Sequence, residues 1–235
     1  MKKLPLAAAV AATLSVSAAS IPAAQASTPQ PVGVSGTWPL VFDDEFNGTA
    51  LNTSAWDTHN GWTNQNNVTD RASNITEIGG DVVLTLASRT SGAAIQSKVA
   101  TLGVGEFAEA RIDFAGSSTN VYNWPAWWAS GPNWPSAGEN DIAEGLGTLT
   151  VNYHSPTGTH NQGTVPGVWT GGFHTYGIYR TATKSYVYWD GKLVKSYATS
   201  DNGQPESLIF TMGAANTLAY GTGGRMLVDY VRVWK

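Results

Sequence analysis

Three acids stand within six residues in Gly138-Glu139-Asn140-Asp141-Ile142-Ala143-Glu144-Gly145, in a chain where only 13 % of residues are charged. Like charges this close resist joint ionisation, so the cluster raises the pKa of at least one member. A charged carboxylate beside a protonated one can attack an anomeric carbon and protonate the leaving oxygen. That is the division of labour in glycosidic bond cleavage. The competing reading is a solvated acidic turn, since runs of acids are usually exposed. Glu has low strand propensity, so three acids on one strand require a reason.

The spacing poses a geometric problem. In a strand, residues two apart share a face, so Glu139 and Asp141 point together. Glu144 is five residues from Glu139, and a regular strand turns it to the opposite face. One extra residue around Ile142-Ala143, a β-bulge, brings it back. The Cα atoms of the two glutamates are then about 13 Å apart, roughly four strand rises. Strand curvature and converging side chains must close this to the separation of about 5–5.5 Å that a retaining mechanism needs.

The elements that carry these residues read as short β-strands between Gly-rich turns. Val82–Leu86, Phe107–Phe114, Thr148–Tyr153, Tyr186–Trp189 and Met226–Trp234 are the clearest. In the last, alternation puts Leu227, Asp229, Val231 and Val233 on one face, and Val228, Tyr230, Arg232 and Trp234 on the other. Asp190-Gly191 joins two strands as a hairpin turn. No window keeps a helical apolar period for three turns. The pattern predicts an all-β sandwich or jelly roll.

Composition narrows the partners. Lys2 and Lys3, an apolar stretch from Leu4 to about Ile21, and Ala24-Gln25-Ala26 form a secretory signal peptide over residues 1–26. The predicted product is secreted and extracellular, with no membrane association after the signal is removed. Losing Lys2 and Lys3 takes the formal charge from −4 to −6. No basic footprint for nucleic acid exists. The chain has no Cys, so its core must suffice without disulfides, and a domain of this size can manage that. Residues 27–37 read as a flexible lead-in and 38–235 as a single domain. A monomer is the default expectation.

Several segments, in order, resemble glycoside hydrolase family 16. Glu139–Glu144 fit that family's E-x-D-x-x-E motif in its bulged branch. Val41–Gly48 with Leu51 and Trp56 is similar to the opening strand, Gly105–Ile112 to its G-x-(Y/F)-E-A-R-I strand, and Trp124–Trp128 to the strand before the catalytic one. Phe173–Tyr176 and Asp229–Val233 resemble later and terminal strands. The resemblance runs from about Leu40 to Lys235 and is laminarinase-like. It implies a β-jelly-roll sandwich of two curved antiparallel sheets with an open cleft, making 38–235 the catalytic domain. It also implies Glu139 as nucleophile, Glu144 as acid/base, Asp141 as assisting residue, and endo-acting cleavage with retention.

Two departures stand out. Asn140 replaces a usual aliphatic residue, faces away from the acids, and as a buried amide needs a partner. Gly61-Trp62-Thr63-Asn64-Gln65-Asn66-Asn67 only partly matches the G-W-G-N-x-E loop, with Asn66 in place of Glu.

Sugars stack their apolar faces on aromatic rings. Trp124 and Trp128 share one face and are expected in the cleft, with Trp127 in the core. Trp62, Asn64 and Trp134 are loop candidates for substrate binding. His154, on the strand after the catalytic one, is a candidate to hydrogen-bond Glu144 or sugar, with a purely structural histidine as the alternative. No cofactor is required for the chemistry. The resemblance implies a structural calcium near Glu45, Gly80 and Asp229, mostly through backbone oxygens apart from Asp229.

The expected substrate is a β-linked polysaccharide that is neutral, because bases are scarce and do not cluster near residues 120–160, and the family resemblance implies β-1,3- or mixed-linkage β-glucan as the preferred one. Alternatives are an agar-type β-galactan hydrolase, a transglycosylase, or a non-catalytic carbohydrate-binding protein on the same fold.

Overall fold

The computed structural model describes residues 28–215 and 217–235. The signal peptide expected over 1–26 lies outside the described residues. Among those described, no helix is long and apolar enough to cross a membrane.

In chain order the longer strands are β1 (Leu40–Asp44), β2 (Ile75–Ile78), β3 (Asp81–Thr85), β4 (Ser91–Leu102), β5 (Phe107–Phe114), β6 (Trp124–Ser130) and β7 (Glu139–Leu146). They continue as β8 (Thr148–Ser155), β9 (Gly158–Thr164), β10 (His174–Arg180), β11 (Lys184–Trp189), β12 (Lys192–Ala198), β13 (Glu206–Gly213) and β14 (Arg225–Trp234). One sheet runs β12-β11-β10-β5-β14-β3-β2, with β1 also on β14. The other runs β9-β8-β7-β6-β13-β4, with Trp56–Asp57 beyond β4. Thr69–Asp70 lies parallel to β4, whereas the long strands pair antiparallel. The result is the expected all-β jelly-roll sandwich.

The alternation of apolar residues explains the two layers. Trp127 is fully buried between the sheets and stacks on Phe210, with ring centroids 5.9 Å apart and planes 11° from parallel. Trp189 and Tyr176 of the other sheet belong to the same core. Asp190 (φ 44°) and Gly191 (φ 70°) both take left-handed backbone, as a tight hairpin turn between β11 and β12 requires.

Two expectations differ from the structure. The simple alternation of the terminal strand breaks, because β14 slips register against β5 between Val228 and Tyr230. The core receives Met226 and Val228 before the slip, and Val231 and Val233 after it. A bulge at Asp229 swaps the faces, so Leu227 and Val231 do not share one.

The lead-in, expected to be flexible, docks on the outer surface of this sheet. Val32 donates its N–H to Glu109 Oε2 (2.9 Å), and Trp234 donates its indole N–H to the Pro29 carbonyl (2.8 Å). Glu109 is buried there and also accepts from the Tyr230 hydroxyl (2.9 Å). These partners satisfy polar groups that would otherwise be buried unpaired.

Candidate active site

The bulge lies where the carboxylate spacing requires it. Against β6, Glu139 faces Ser130, Asp141 faces Trp128, Ala143 faces Trp127 and Glu144 faces Ala126, leaving Ile142 as the extra residue. Against β8, Asp141 faces Asn152 and Glu144 faces Thr150, three steps against two. A bulge disrupts the ladder locally. Here Trp189 donates its indole N–H to the Ile142 carbonyl (3.1 Å) from the facing sheet. Gly138 opens the strand at φ 79°. A Cβ there would come within 2.7 Å of Asp201 Cβ, so only glycine fits.

Glu139, Asp141 and Glu144 therefore line one cavity of about 620 Å³ on the outer face of the second sheet. All six expected sugar contacts line it too: Trp62, Asn64, Trp124, Trp128, Trp134 and His154. Trp62 and Trp134 are exposed, at 51 % and 59 %. Trp134 belongs to the end near Ser130 and Glu139, with its ring 6.4 Å from that of His154. Asn64 lies at the other end, against Gly213, the residue paired with Trp124. The cleft thus follows the catalytic strand.

Each acid has its own surroundings. Glu144 accepts from Trp124 Nε1 (2.7 Å) and Asn152 Nδ2 (2.6 Å), one donor per carboxylate oxygen. Burial, then the Asp141 charge, raises its pKa, and those two donors pull it back. Burial, again followed by the Asp141 charge, pushes Glu139 up to about 8, against the pull of His154 and Trp134. Asp141 is 5 % exposed, and burial raises it while His154 lowers it.

His154 sits directly across from Glu139 in the ladder. Its Nε2 is 3.2 Å from Asp141 Oδ2 and 3.5 Å from Glu139 Oε1, and its Nδ1 is 2.9 Å from Thr159 Oγ1. Its pKa is raised, first by the hydrogen bond with Asp141. The expected bond from His154 to Glu144 is absent, because the register puts Asn152 in that place. Asn152 was missed, although it shares the face of His154 two residues away. Asp70, also missed, lines the cavity from a distant part of the chain.

Behind the catalytic strand, Asn140 has the partners its burial demands. Its Nδ2 donates to both oxygens of Glu206 (2.9 and 2.7 Å). Its Oδ1 accepts from the Ser185 and Tyr197 hydroxyls (2.9 and 2.8 Å). Arg180, fully buried, lies 2.8 Å from Asp201 and 3.2 Å from Glu206.

Glu139, Asp141 and His154 place donor atoms within 4.8 Å of one another, close enough to share a cation. Asp229, the one side-chain donor of the expected calcium set, is engaged by the Arg111 guanidinium, and the Glu45 carboxylate is bound to Arg232 (2.8 Å to Nε). Both ion pairs involve side chains, whereas Glu45 and Gly80 are expected to offer backbone oxygens.

Residues 110–167, the segment from β5 through β9, match a family model described as "XgeA-like, catalytic GH16 domain". The resemblance to glycoside hydrolase family 16 is borne out, and the matched domain is that of a glycosyl hydrolase. None of the curated proteins matches.

Solved structures share the fold at low identity. An endo-β-1,3-glucanase from Pyrococcus furiosus is 23 % identical, with TM-score 0.70 over 84 % of this chain and 94 % of that one. A mutant of SCLam, a non-specific endo-β-1,3(4)-glucanase with 1,3-β-D-cellobiosyl-glucose at its active site, is 22 % identical, with TM-score 0.74 over 88 % and 98 %. An endo-acting O-glycanase of the human gut microbiota that initiates mucin breakdown is 20 % identical, with TM-score 0.67 over 83 % and 98 %.

Proposed function

We propose that this glycosyl hydrolase of family 16 type is a secreted, endo-acting, retaining β-glucanase that cleaves β-1,3- or mixed-linkage glucan. The observation that carries the reading is the bulge at Ile142, which gathers three acids onto one face of an aromatic-lined cleft. No Lys or Arg is among the residues lining that cleft. The acids there, Asp70, Glu139, Asp141 and Glu144, repel an anionic polymer to the extent that they ionise, and no base offsets them, which leaves a neutral polymer. Two structural neighbours that are glucanases favour glucan among neutral glycans. The signal peptide expected over residues 1–26 supports export, and a single chain suffices for the cleft.

In the first step the Glu139 carboxylate attacks the anomeric carbon while Glu144 gives its proton to the departing glycosidic oxygen. Glu144 then takes a proton from water, which attacks the glycosyl-enzyme and frees Glu139. Asp141 lies between them and holds His154, whose positive form stabilises the charge on Glu139.

One observation favours the reversed roles. Two N–H donors stabilise the ionised form of Glu144, whereas Glu139 has the high pKa of about 8. Azide separates the two assignments. In an activated aryl glycoside assay, Glu144→Ala rescued with azide to a β-glycosyl azide, and Glu139→Ala to an α-glycosyl azide, support the assignment above. Exchanged products reverse it.

The activity itself is tested by reducing-end release from laminarin, lichenan, agarose and porphyran. Release that persists unchanged in Glu139→Gln would overturn the mechanism. No release from any of the four, with binding retained, would make the protein a carbohydrate binder.

A further inference from the structure

Asp70 is the acid in the cleft that this mechanism leaves unused. Its backbone is fully engaged. Gly61 donates its N–H to the Asp70 carbonyl, and Asp70 donates to the Trp62 carbonyl, both at 2.9 Å. Asp70 also lies alongside Gly92 of β4. Its side chain is a different matter. It lines the cavity with Trp62 and Trp124, yet the residue is only 4 % exposed. Its Oδ2 is buried with no hydrogen-bond partner among the described residues. No neighbouring charge offsets the burial, which alone pushes the carboxyl up to about 7.

Leaving a buried carboxyl oxygen unpaired costs stability, and nothing in the fold repays it. Unsatisfied groups of this kind require an explanation. A ligand in the cavity supplies one. Trp62, whose carbonyl accepts the Asp70 N–H, is half-exposed, with its ring set edge-to-face against His59 (centroids 6.1 Å apart). An aromatic face beside a carboxyl group is the combination that grips a pyranose, which has an apolar face and a rim of hydroxyls.

We propose that Asp70 is a sugar-binding residue whose carboxyl accepts hydrogen bonds from adjacent hydroxyls of a glycosyl unit stacked on Trp62, at the end of the cleft beyond Trp124. The unit it takes has free hydroxyls there and bears no sulfate or carboxylate, which the acid would repel. This rests on the polysaccharide reading of the cleft and identifies a recognition point away from the bond cleaved.

The test is calorimetric titration of the Glu139→Gln protein with hexasaccharides prepared from laminarin, lichenan, agarose and porphyran. The same protein is titrated after adding Asp70→Asn or Asp70→Ala, and melting temperatures are recorded for all three. At pH 8, where the Asp70 carboxyl is ionised, both additions should weaken binding about tenfold or more, the loss expected for a charge-assisted hydrogen bond. Asp70→Asn should melt no lower than its parent, because the fold gives the carboxyl no partner. Affinity unchanged within about twofold would overturn the proposal and leave the polysaccharide reading intact. Affinity that falls only together with melting temperature, in both variants, would make Asp70 a structural residue and also overturn it. A parent protein that binds none of the four oligosaccharides overturns the reading of the cleft, and this proposal with it.

Discussion

Replacing Trp124 with Phe removes one hydrogen bond and keeps an aromatic ring in the cleft. The bond lost is the one from Trp124 Nε1 to Glu144 Oε1 at 2.7 Å, which stabilises the ionised carboxylate. A hydrogen bond to a charged group contributes about 1.5–3 kcal/mol. One pKa unit corresponds to about 1.36 kcal/mol. Asn152 still holds the other oxygen at 2.6 Å, so the lower end applies and the Glu144 pKa rises by about 1.

The assay is kcat/KM on laminarin from pH 4 to 10, wild type against Trp124→Phe. The acidic limb follows the group of lower pKa in the pair and the alkaline limb the group of higher pKa. With Glu144 as the group of higher pKa, it stays protonated to higher pH, so the alkaline limb moves up by about 1 pH unit and the acidic limb stays. An acidic limb that moves up instead makes Glu144 the group of lower pKa, beside Glu139 at about 8, and leaves the roles to the azide products. If neither limb moves, the Trp124 bond does not set the proton affinity of Glu144, and the reasoning is refuted.

Other perturbations test the supports of the site. Asn140→Leu strips Glu206 of both hydrogen bonds from Asn140 Nδ2 and leaves the Ser185 and Tyr197 hydroxyls without their acceptor, all buried. It should cost about 3 kcal/mol or more in guanidinium unfolding, and a loss under about 1 kcal/mol would show that the network relaxes freely. Trp189→Phe orphans the Ile142 carbonyl. A stability loss of about 1–3 kcal/mol with a lowered kcat is expected, whereas an unchanged kcat would show that the bulge holds without this bond.

Stability should also depend on pH. Burial pushes Glu139 and Glu206 from 4.5 up to about 8 and Asp70 from 3.8 up to about 7. Each binds its proton more tightly folded than unfolded. Their contribution is complete below about pH 4 and is lost as pH rises to about 8. Melting temperature should fall from pH 5 to pH 8, and a rise would contradict the assignment of these groups.

How much of this was legible from residues alone varies by position. The E-x-D-x-x-E spacing, with the two-residue period of a strand, already demanded a bulge near Ile142, and the ladder has it there. The same period sorted Trp124 and Trp128 from Trp127. The scarcity of bases matched a cleft lined by acids and aromatics. Period-two reasoning failed at β14, where a bulge at Asp229 has no chemical motif to announce it. Composition suggested a mobile lead-in. Hydrogen bonds to Glu109 and Trp234, far along the chain, placed it instead.

The acids, the bulge they need and the tryptophans that flank them were determined locally, since a strand's alternation follows from backbone geometry over a few residues. Which neighbour each acid meets was decided by pairing between strands. That pairing sets Asn152 rather than His154 on Glu144, Glu206 on Asn140, and Arg111 on Asp229. Asp70 enters the cleft only because Thr69–Asp70 lies along β4. Its residue type and sequence position carried no sign of that, because the desolvation that singles it out exists only once the sheets have closed.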